Sequence, residues 1–186
     1  RAQPLKIVIA ASAPNGAGRS AYFRRLAQQF GAQLIDQGTG SLGRRMECAL
    51  EPFASGGALL IGTDTPTLPA ELLVKSITAL GRARVVVAPS LDGGYYALGV
   101  RGAMPAIFDG MRWGRSDVLE KTLRRLKRAR IRFALGPAWY DVDRWSDVML
   151  LAAHLRLLVR VRDSRKLPCP ATAAVLRQLG LLNRAR

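Results

Sequence analysis

The chain has 186 residues, 49% of them apolar and 23% charged, which fits a single globular domain spanning residues 1–186. It contains neither an apolar run of the ~18 residues that a membrane-spanning helix needs nor a secretory signal peptide, so we expect a cytoplasmic protein without a membrane span. The net charge of +16 favours an anionic partner: nucleic acid, acidic lipid or a phosphorylated small molecule.

The first half of the chain alternates short apolar runs with segments of helical periodicity. In chain order we predict a strand at Leu5–Ala11, a helix at Arg19–Phe30, a strand at Gln33–Asp36, a helix at Leu42–Leu50, a strand at Ala58–Gly62 and a helix from Pro69 to Leu80. Pro69 suits a first helical turn, where its missing N–H is not needed, and Gly81 suits a helix end.

The second half continues the alternation. We predict strands at Arg84–Ala88 and Tyr95–Val100, a helix at Asp117–Ala129 capped by Ser116, a strand at Ile131–Leu135, an extended piece at Tyr140–Asp143, and helices at Ser146–Val159 and Thr172–Leu182. Strands that alternate with helices predict an α/β fold with a mainly parallel, doubly wound sheet. Ligands bind such sheets beyond the carboxyl ends of the strands.

Asp64 directly follows the clearest strand of the sequence, in the run Gly62-Thr63-Asp64-Thr65-Pro66. A carboxylate at a strand's carboxyl end points toward the expected crevice, where it could bind Mg²⁺ or another hard cation together with phosphate oxygens. The alternative is that Asp64 caps the next helix.

Two further runs carry carboxylates. In Asp141-Val142-Asp143, residues two apart share one face of an extended segment, so one acid could bind a metal while the other positions it. The alternative is that Asp143 or Asp147 caps the following helix. Asp92-Gly93-Gly94 could approach a ligand closely, although a hairpin turn explains the same letters.

Other motifs are weaker. The run from Gly16 to Ala21, with Asp36 after it, matches a dinucleotide-binding fingerprint, but the loop before it is too long for a tight phosphate turn. The single histidine, His154, is expected to be structural, so catalytic triads have no base. Cys48 and Cys169 are expected to be reduced. Aromatic residues make up only 6% and do not interleave with the basic residues, which makes nucleic acid the less favoured partner.

Five runs in order carry a resemblance to a known family: 38–46 (GTGSLGRRM), 61–66 (IGTDTP), 92–96 (DGGYY), 112–119 (RWGRSDVL) and 141–143 (DVD). The series resembles a bacterial family of uncharacterised nucleotide-diphospho-sugar transferase-like proteins, also named glycosyltransferases or radical-SAM/selenodomain-associated transferases. It is more distantly similar to 2-phospho-lactate guanylyltransferases and sugar-nucleotide synthetases. The resemblance covers Leu5 to about Leu182 and implies a Rossmann-like GT-A-type fold.

The resemblance also implies roles for individual residues. Asp64 and Asp143 would bind Mg²⁺ or Mn²⁺, and Asp64 and Asp92 would be catalytic. The residues implied in donor, acceptor or nucleotide binding are Gly43, Arg45, Gly93, Gly94, Trp113 and Ser116. The implied partner is a nucleotide-diphosphate sugar or a nucleoside triphosphate.

The chain departs from the family pattern in three places. Nothing before Leu5 corresponds to the family's first strand and its nucleotide-contacting loop, Ser41 replaces a common acid, and Gly114-Arg115 stand where Ser-Thr is common. We therefore expect a GT-A-type sheet that lacks its first strand in this sequence: either the segment lies upstream of it, or the protein has lost catalysis. The sequence predicts a metal-dependent transferase that moves a glycosyl group. Its alternatives are a guanylyl- or cytidylyltransferase acting on a small phosphorylated acceptor, and a non-catalytic basic interaction module.

Overall fold

The fold is taken from a computed structural model, which describes residues 5–161 and 167–182. Its strands, in chain order, are β1 (Val8–Ala11), β2 (Gln33–Asp36), β3 (Ala58–Ile61), β4 (Val85–Pro89), β5 (Tyr95–Val100) and β6 (Phe133–Leu135). Its α-helices are α1 (Ala21–Gln29), α2 (Leu42–Leu50), α3 (Ala70–Leu80), α4 (Val118–Arg128), α5 (Trp145–Val161) and α6 (Pro170–Gln178). Short 3₁₀ turns lie at Ala17–Arg19 and Glu51–Phe53.

The predicted α/β class is confirmed, with sheets flanked by helices. Strands β3, β4 and β6 run in one direction in a four-stranded sheet of order β3-β5-β4-β6. Strand β5 runs against its neighbours, because the tight connection from β4 to β5 allows only an antiparallel return. The parallel pair β1–β2 forms a separate two-stranded sheet, so the strands do not make one continuous sheet.

Helices cover both faces of the four-stranded sheet. Alternate side chains of β4 and β5 face α2 and α4, where the largest core cluster includes Met46, Leu50, Val87, Leu98 and Leu126, each no more than 9% exposed. Helix α3 packs on the opposite face, and the methyl groups of its last residue, Leu80, lie where a Cβ on Gly99 would touch them. The sheet is thereby buried on both sides, as its near-continuous apolar strands require.

A second cluster packs α5 and α6 against the segment that follows β6. Tyr140, Leu151, Leu155, Ala173 and Leu176 are buried there together. This cluster anchors the chain next to the carboxyl ends of the strands. Among the helices of the described residues, none has both the length and the apolar character that a bilayer span requires.

Helix α4 begins differently from the prediction. Ser116 does not cap it: the residue before the helix is Asp117, which makes no side-chain capping bond. The Asp117 carboxylate instead forms an ion pair of 2.7 Å with Lys121, one turn along the helix. Both cysteines are free thiols, as predicted, and Gly81 directly follows α3.

Candidate functional site

Three carboxylates meet at the carboxyl edge of the four-stranded sheet. Asp92 lies in the hairpin after β4, and Asp141 and Asp143 lie in the segment after β6. One carboxylate oxygen from each lies within 4.8 Å of the others. Because β4 and β6 are parallel neighbours, the segments that follow them emerge side by side, and this brings the three acids together.

Asp64 lies at the same edge, after β3, but is not one of these three. Its carboxylate is exposed and does not cap α3, whose preceding residue is Pro69 with no side-chain cap. Its backbone carbonyl accepts a hydrogen bond of 3.0 Å from the N–H of Val142, between Asp141 and Asp143. The predicted pair of Asp64 and Asp143 is therefore found on one side of the molecule, linked through the backbone.

Asp147 resolves which acid caps α5. Its carboxylate accepts hydrogen bonds from the backbone N–H groups of Asp143 (3.1 Å) and Arg144 (2.8 Å). These bonds hold the pKa of Asp147 below its usual value. The Asp143 carboxylate is consequently free to face the other acids. The sequence alone could not decide whether Asp143 or Asp147 caps the helix.

The site concentrates negative charge. The pKa of Asp143 is raised by partial burial and then by the charges of Asp141, Asp64, Asp92 and Asp147. Carboxylates held this close repel one another, and a cation between them would relieve the repulsion. The ligand atoms are all oxygens, which is the donor set of a hard cation such as Mg²⁺ or Mn²⁺ rather than of zinc. The residues therefore fit a hard metal ion.

A cleft of about 550 Å³ opens over these acids. The residues lining it are Leu91, Asp92, Gly114, Arg115, Ser116, Tyr140, Asp141, Asp143, Arg144, Ser146, Asp147 and Leu150. Its volume lies within the range of ligand sites in proteins. The lining contains carboxylates and two exposed guanidinium groups, those of Arg115 and Arg144. The cleft therefore offers both ligands for a cation and hydrogen-bond donors for phosphate oxygens.

The wall of the cleft depends on a close approach at Gly93. Its φ of +91° lies in the left-handed region, and a Cβ there would come within 2.1 Å of the carbonyl oxygen of Ser116. The carbonyl of Gly93 accepts a hydrogen bond of 2.9 Å from Leu119 in α4. Asp92 also accepts one of 2.8 Å from the N–H of Gly94, so the hairpin interpretation of this run is correct and coexists with its place in the cleft.

Of the six predicted binding residues, Ser116 alone lines the cleft, Gly93 and Gly94 follow the lining residue Asp92, and the other three lie elsewhere. A Cβ on Gly43 would come within 2.6 Å of Phe108 and 3.0 Å of Trp113, so Gly43 permits α2 to pack closely against the segment before α4. The Trp113 ring packs edge-on against Tyr95, 6.4 Å between centroids. Arg45, on α2, has a buried Nε without a hydrogen-bond partner in the described chain. Nucleotide contacts of these residues remain predictions.

The dinucleotide fingerprint has a structural role instead. The two carboxylate oxygens of Asp36 accept hydrogen bonds from the backbone N–H groups of Ala17 (2.7 Å) and Gly38 (2.8 Å). These contacts hold the loops after β1 and β2 together.

The sequence did not identify a hydrogen-bond network next to the acids. The Tyr140 hydroxyl lies 2.7 Å from Thr67 Oγ1 and 2.8 Å from His154 Nδ1. It joins the loop before α3 to helix α5 and fixes the residue that precedes Asp141. His154 is structural, as expected, and burial lowers its pKa. No local pattern links residues so distant in sequence.

The comparisons with known proteins agree with this architecture. The chain is similar to a crystal structure of a candidate nucleotide-diphospho-sugar transferase from Desulfovibrio desulfuricans G20, with 29% identity, a TM-score of 0.76, and coverage of 95% of this chain and 75% of the other. No curated protein matches the chain. A family model matches residues 2–115, and the chain belongs to that family, an uncharacterized protein conserved in bacteria (DUF2064).

Proposed function

We propose that this protein is a metal-dependent transferase that uses a nucleotide-diphosphate donor, with glycosyl transfer as its reaction. The observation that carries the proposal is the meeting of Asp92, Asp141 and Asp143 in a cleft of about 550 Å³. The name of the similar Desulfovibrio protein, a candidate nucleotide-diphospho-sugar transferase, supports this choice of substrate class.

The three carboxylates would hold a Mg²⁺ or Mn²⁺ ion, which when bound supplies Lewis-acid neutralisation of the leaving diphosphate. Asp64, at the same edge, adds to the negative potential that attracts the cation. Arg115 and Arg144 would bind phosphate oxygens through charge-assisted hydrogen bonds. Carboxylates and guanidinium groups in one cleft thus match a ligand that combines a cation with a diphosphate.

Other residues would position the reactants. The contact between Gly93 and Ser116 fixes the wall on which Arg115 is carried. The Tyr140 hydroxyl network and the Asp147 cap hold the Asp141–Asp143 segment from both of its ends. A site prepared in this way needs little reorganisation when a ligand arrives, which lowers the free-energy cost of binding.

A thermal-shift panel tests the proposal. Nucleoside diphosphates, triphosphates and nucleotide sugars are each measured with and without Mn²⁺. A ligand at a hundred times its Kd stabilises the folded state by about 2.7 kcal/mol, which raises Tm by about 5–10 °C in a domain of this size. We expect such a shift only when a nucleotide and Mn²⁺ are both present.

Matched variants locate the effect. Asp143→Asn should remove the Mn²⁺-dependent shift, whereas Asp109→Asn, which removes an exposed carboxylate outside the cleft, should keep it. A panel in which no nucleotide shifts Tm, or in which both variants respond like the wild type, contradicts the proposal. Release of pyrophosphate from a nucleoside triphosphate would identify nucleotidyl transfer instead.

A further inference from the structure

Five arginines gather at the end of the four-stranded sheet opposite to the acidic cleft. We call them the arginine pole: Arg82, Arg84, Arg101, Arg130 and Arg132. Val85 pairs with Val100 on one side and with Phe133 on the other, so the arginines next to these positions lie on three adjacent strands. Backbone bonds of 2.9 Å confirm the placement, from Arg84 N–H to the Arg132 carbonyl and from Arg101 N–H to the Arg84 carbonyl.

Four of the five arginines of the pole come from two Arg-x-Arg runs. An Arg-x-Arg run stands directly before β4 (Arg82 and Arg84) and another before β6 (Arg130 and Arg132), and these two strands are parallel neighbours. Four of the arginines are exposed; Arg84 is half-buried and donates a 2.9 Å hydrogen bond to the carbonyl of Ala103. Strands lie about 4.8 Å apart, so the row across three strands is about 10 Å wide.

No arginine of the pole forms an ion pair with an acid of the described residues. The ion pairs found in residues 5–161 and 167–182 join Arg44 to Glu47, Lys121 to Asp117 and Arg124 to Glu120, and none includes a member of the pole. The acids of the same sheet stand at its other end, about 17 Å away along the five residues of β4. Like charges collected without ion-pair partners produce a positive potential that attracts a polyanion.

We infer that the arginine pole is a binding surface for the phosphodiester backbone of duplex nucleic acid. A guanidinium fork matches the geometry of phosphate oxygens, and every cation of the row is an arginine. Contacts of this kind go to phosphates and not to base edges, so binding is independent of base sequence. This surface lies at the far end of the sheet from the cleft and stands apart from the proposed transferase activity.

The apolar side chains distinguish a duplex from the other polyanions. In the three segments that carry the pole, residues 82–85, 100–102 and 130–133, no large apolar side chain is exposed, and Ile131 and Phe133 are half-buried. Since the one aromatic ring in these segments, Phe133, is half-buried, they offer no open platform on which the bases of a single strand could stack. They also lack the apolar anchors that proteins bury in a lipid surface.

The experiment compares two variants with equal loss of charge. The pole variant carries Arg82→Gln, Arg101→Gln, Arg130→Gln and Arg132→Gln, and keeps Arg84 because of its bond to Ala103. The control variant carries Lys6→Gln, Arg19→Gln, Arg25→Gln and Arg177→Gln, all at exposed positions elsewhere. Affinity for a labelled DNA duplex is measured by fluorescence anisotropy across roughly 50–200 mM salt.

Each phosphate contact adds about 0.9 to the steepness of log K against log salt. The pole variant should therefore bind about tenfold or more weakly, with a slope shallower by roughly 3–4 units, while the control variant keeps a slope close to that of the wild type. Equal losses in the two variants would show that net charge alone attracts the duplex and would overturn the inference.

Two additions keep the outcome decisive. Vesicles containing phosphatidylglycerol are tested in parallel, and a pole-dependent binding to vesicles without binding to the duplex also overturns the inference. If the fourfold variant does not fold, Arg101→Gln and Arg132→Gln are measured singly. Each should make the slope shallower by about 1 unit, and unchanged slopes in both count against the pole.

Discussion

The backbone N–H of Val142 donates a hydrogen bond of 3.0 Å to the carbonyl oxygen of Asp64. This bond ties the segment after β3 to the segment after β6 and sets Asp143 beside Asp64. Their charges, with those of the other nearby acids, contribute to the raised pKa of Asp143. A backbone hydrogen bond thus holds carboxylates together although they repel one another. A cation-binding site built from acids needs such a restraint, because without its ion the acids would move apart.

Asp143→Asn should increase the stability of the metal-free protein. At neutral pH the charged form of Asp143 is disfavoured by partial burial and by its acidic neighbours, and the raised pKa expresses that cost. Asparagine removes the charge but keeps the shape, so the free energy of unfolding should rise in EDTA. The same substitution should abolish stabilisation by Mn²⁺. Urea denaturation with EDTA and with Mn²⁺ measures both effects.

The control for this prediction is Asp109→Asn, at an exposed position that does not line the cleft. It should leave the free energy of unfolding within about 0.5 kcal/mol of the wild type in either solution. A loss of stability in EDTA with Asp143→Asn would mean that its carboxylate makes a favourable structural contact, and the crowding of acids would then be the wrong account.

Tyr140→Phe should destabilise the fold by about 1–3 kcal/mol, because it leaves the hydroxyl of Thr67 without its partner in the interior. Thr67 is 3% exposed and lies 2.7 Å from the Tyr140 hydroxyl, which also contacts His154. The measurement is the free energy of unfolding in urea.

Two further variants test the cause of that loss. Adding Thr67→Val to Tyr140→Phe should recover part of the stability, since the buried Thr67 hydroxyl that Tyr140→Phe leaves without a partner is then absent, while His154 Nδ1 loses the same contact in both variants. Tyr22→Phe, at a phenol that is 68% exposed, should have little effect. If the double variant is less stable than Tyr140→Phe alone, the hydroxyl pair is not the source of the effect.

The fold was predictable from local patterns, and the site only in part. Apolar runs and helical periodicity located the strands and helices. Because ligands bind at the carboxyl ends of parallel strands, the sequence also predicted that Asp64 and Asp143 lie at one edge of the sheet. The sequence left the roles of Asp141 and Asp147 open, because the capping of α5 depends on which carboxylate reaches two particular N–H groups.

The antiparallel course of β5 was missed for a related reason. The run Asp92-Gly93-Gly94 is a turn signal, yet the alternation of strands and helices along the chain predicts a mainly parallel sheet. The reversed strand β5 lies between β3 and β4 and leaves the fold class unchanged, while the parallel pairing of β4 with β6 places Asp92 next to Asp141. Pairing between strands distant in sequence therefore decides that Asp92 joins Asp141 and Asp143. No local sequence pattern encodes that pairing.

Gly93→Ala should destabilise the protein by about 2–5 kcal/mol, which combines the left-handed backbone with a clash. The new methyl group would lie 2.1 Å from the Ser116 carbonyl oxygen, so the segment that carries Arg115 has to move. Thermal denaturation measures the loss, and the nucleotide- and Mn²⁺-dependent shift in Tm should shrink with it.

Gly114→Ala separates the two causes. Its φ of +72° is also left-handed, but nothing lies within 4 Å of the added methyl group. It should cost only the backbone strain, about 1–2 kcal/mol. Equal losses at the two glycines would show that the close approach of Gly93 to Ser116 contributes nothing to stability.

Asp36→Asn tests the contact that replaces a dinucleotide site. Backbone N–H groups of Ala17 and Gly38 bind the Asp36 carboxylate and lower its pKa below the ordinary value of 3.8. A lowered pKa in the folded state means that this carboxylate stabilises the fold above pH 3.8 and that the contribution disappears as the pH falls through the lowered pKa.

Asparagine can accept through only one oxygen and carries no charge, so the variant should be less stable than the wild type at pH 7. The difference in unfolding free energy between the two proteins should diminish on acidification, because protonated Asp36 resembles the amide. Urea denaturation at pH 7 and in the acid range measures it, and a difference that stays constant with pH would show that the loss comes from shape rather than from charge.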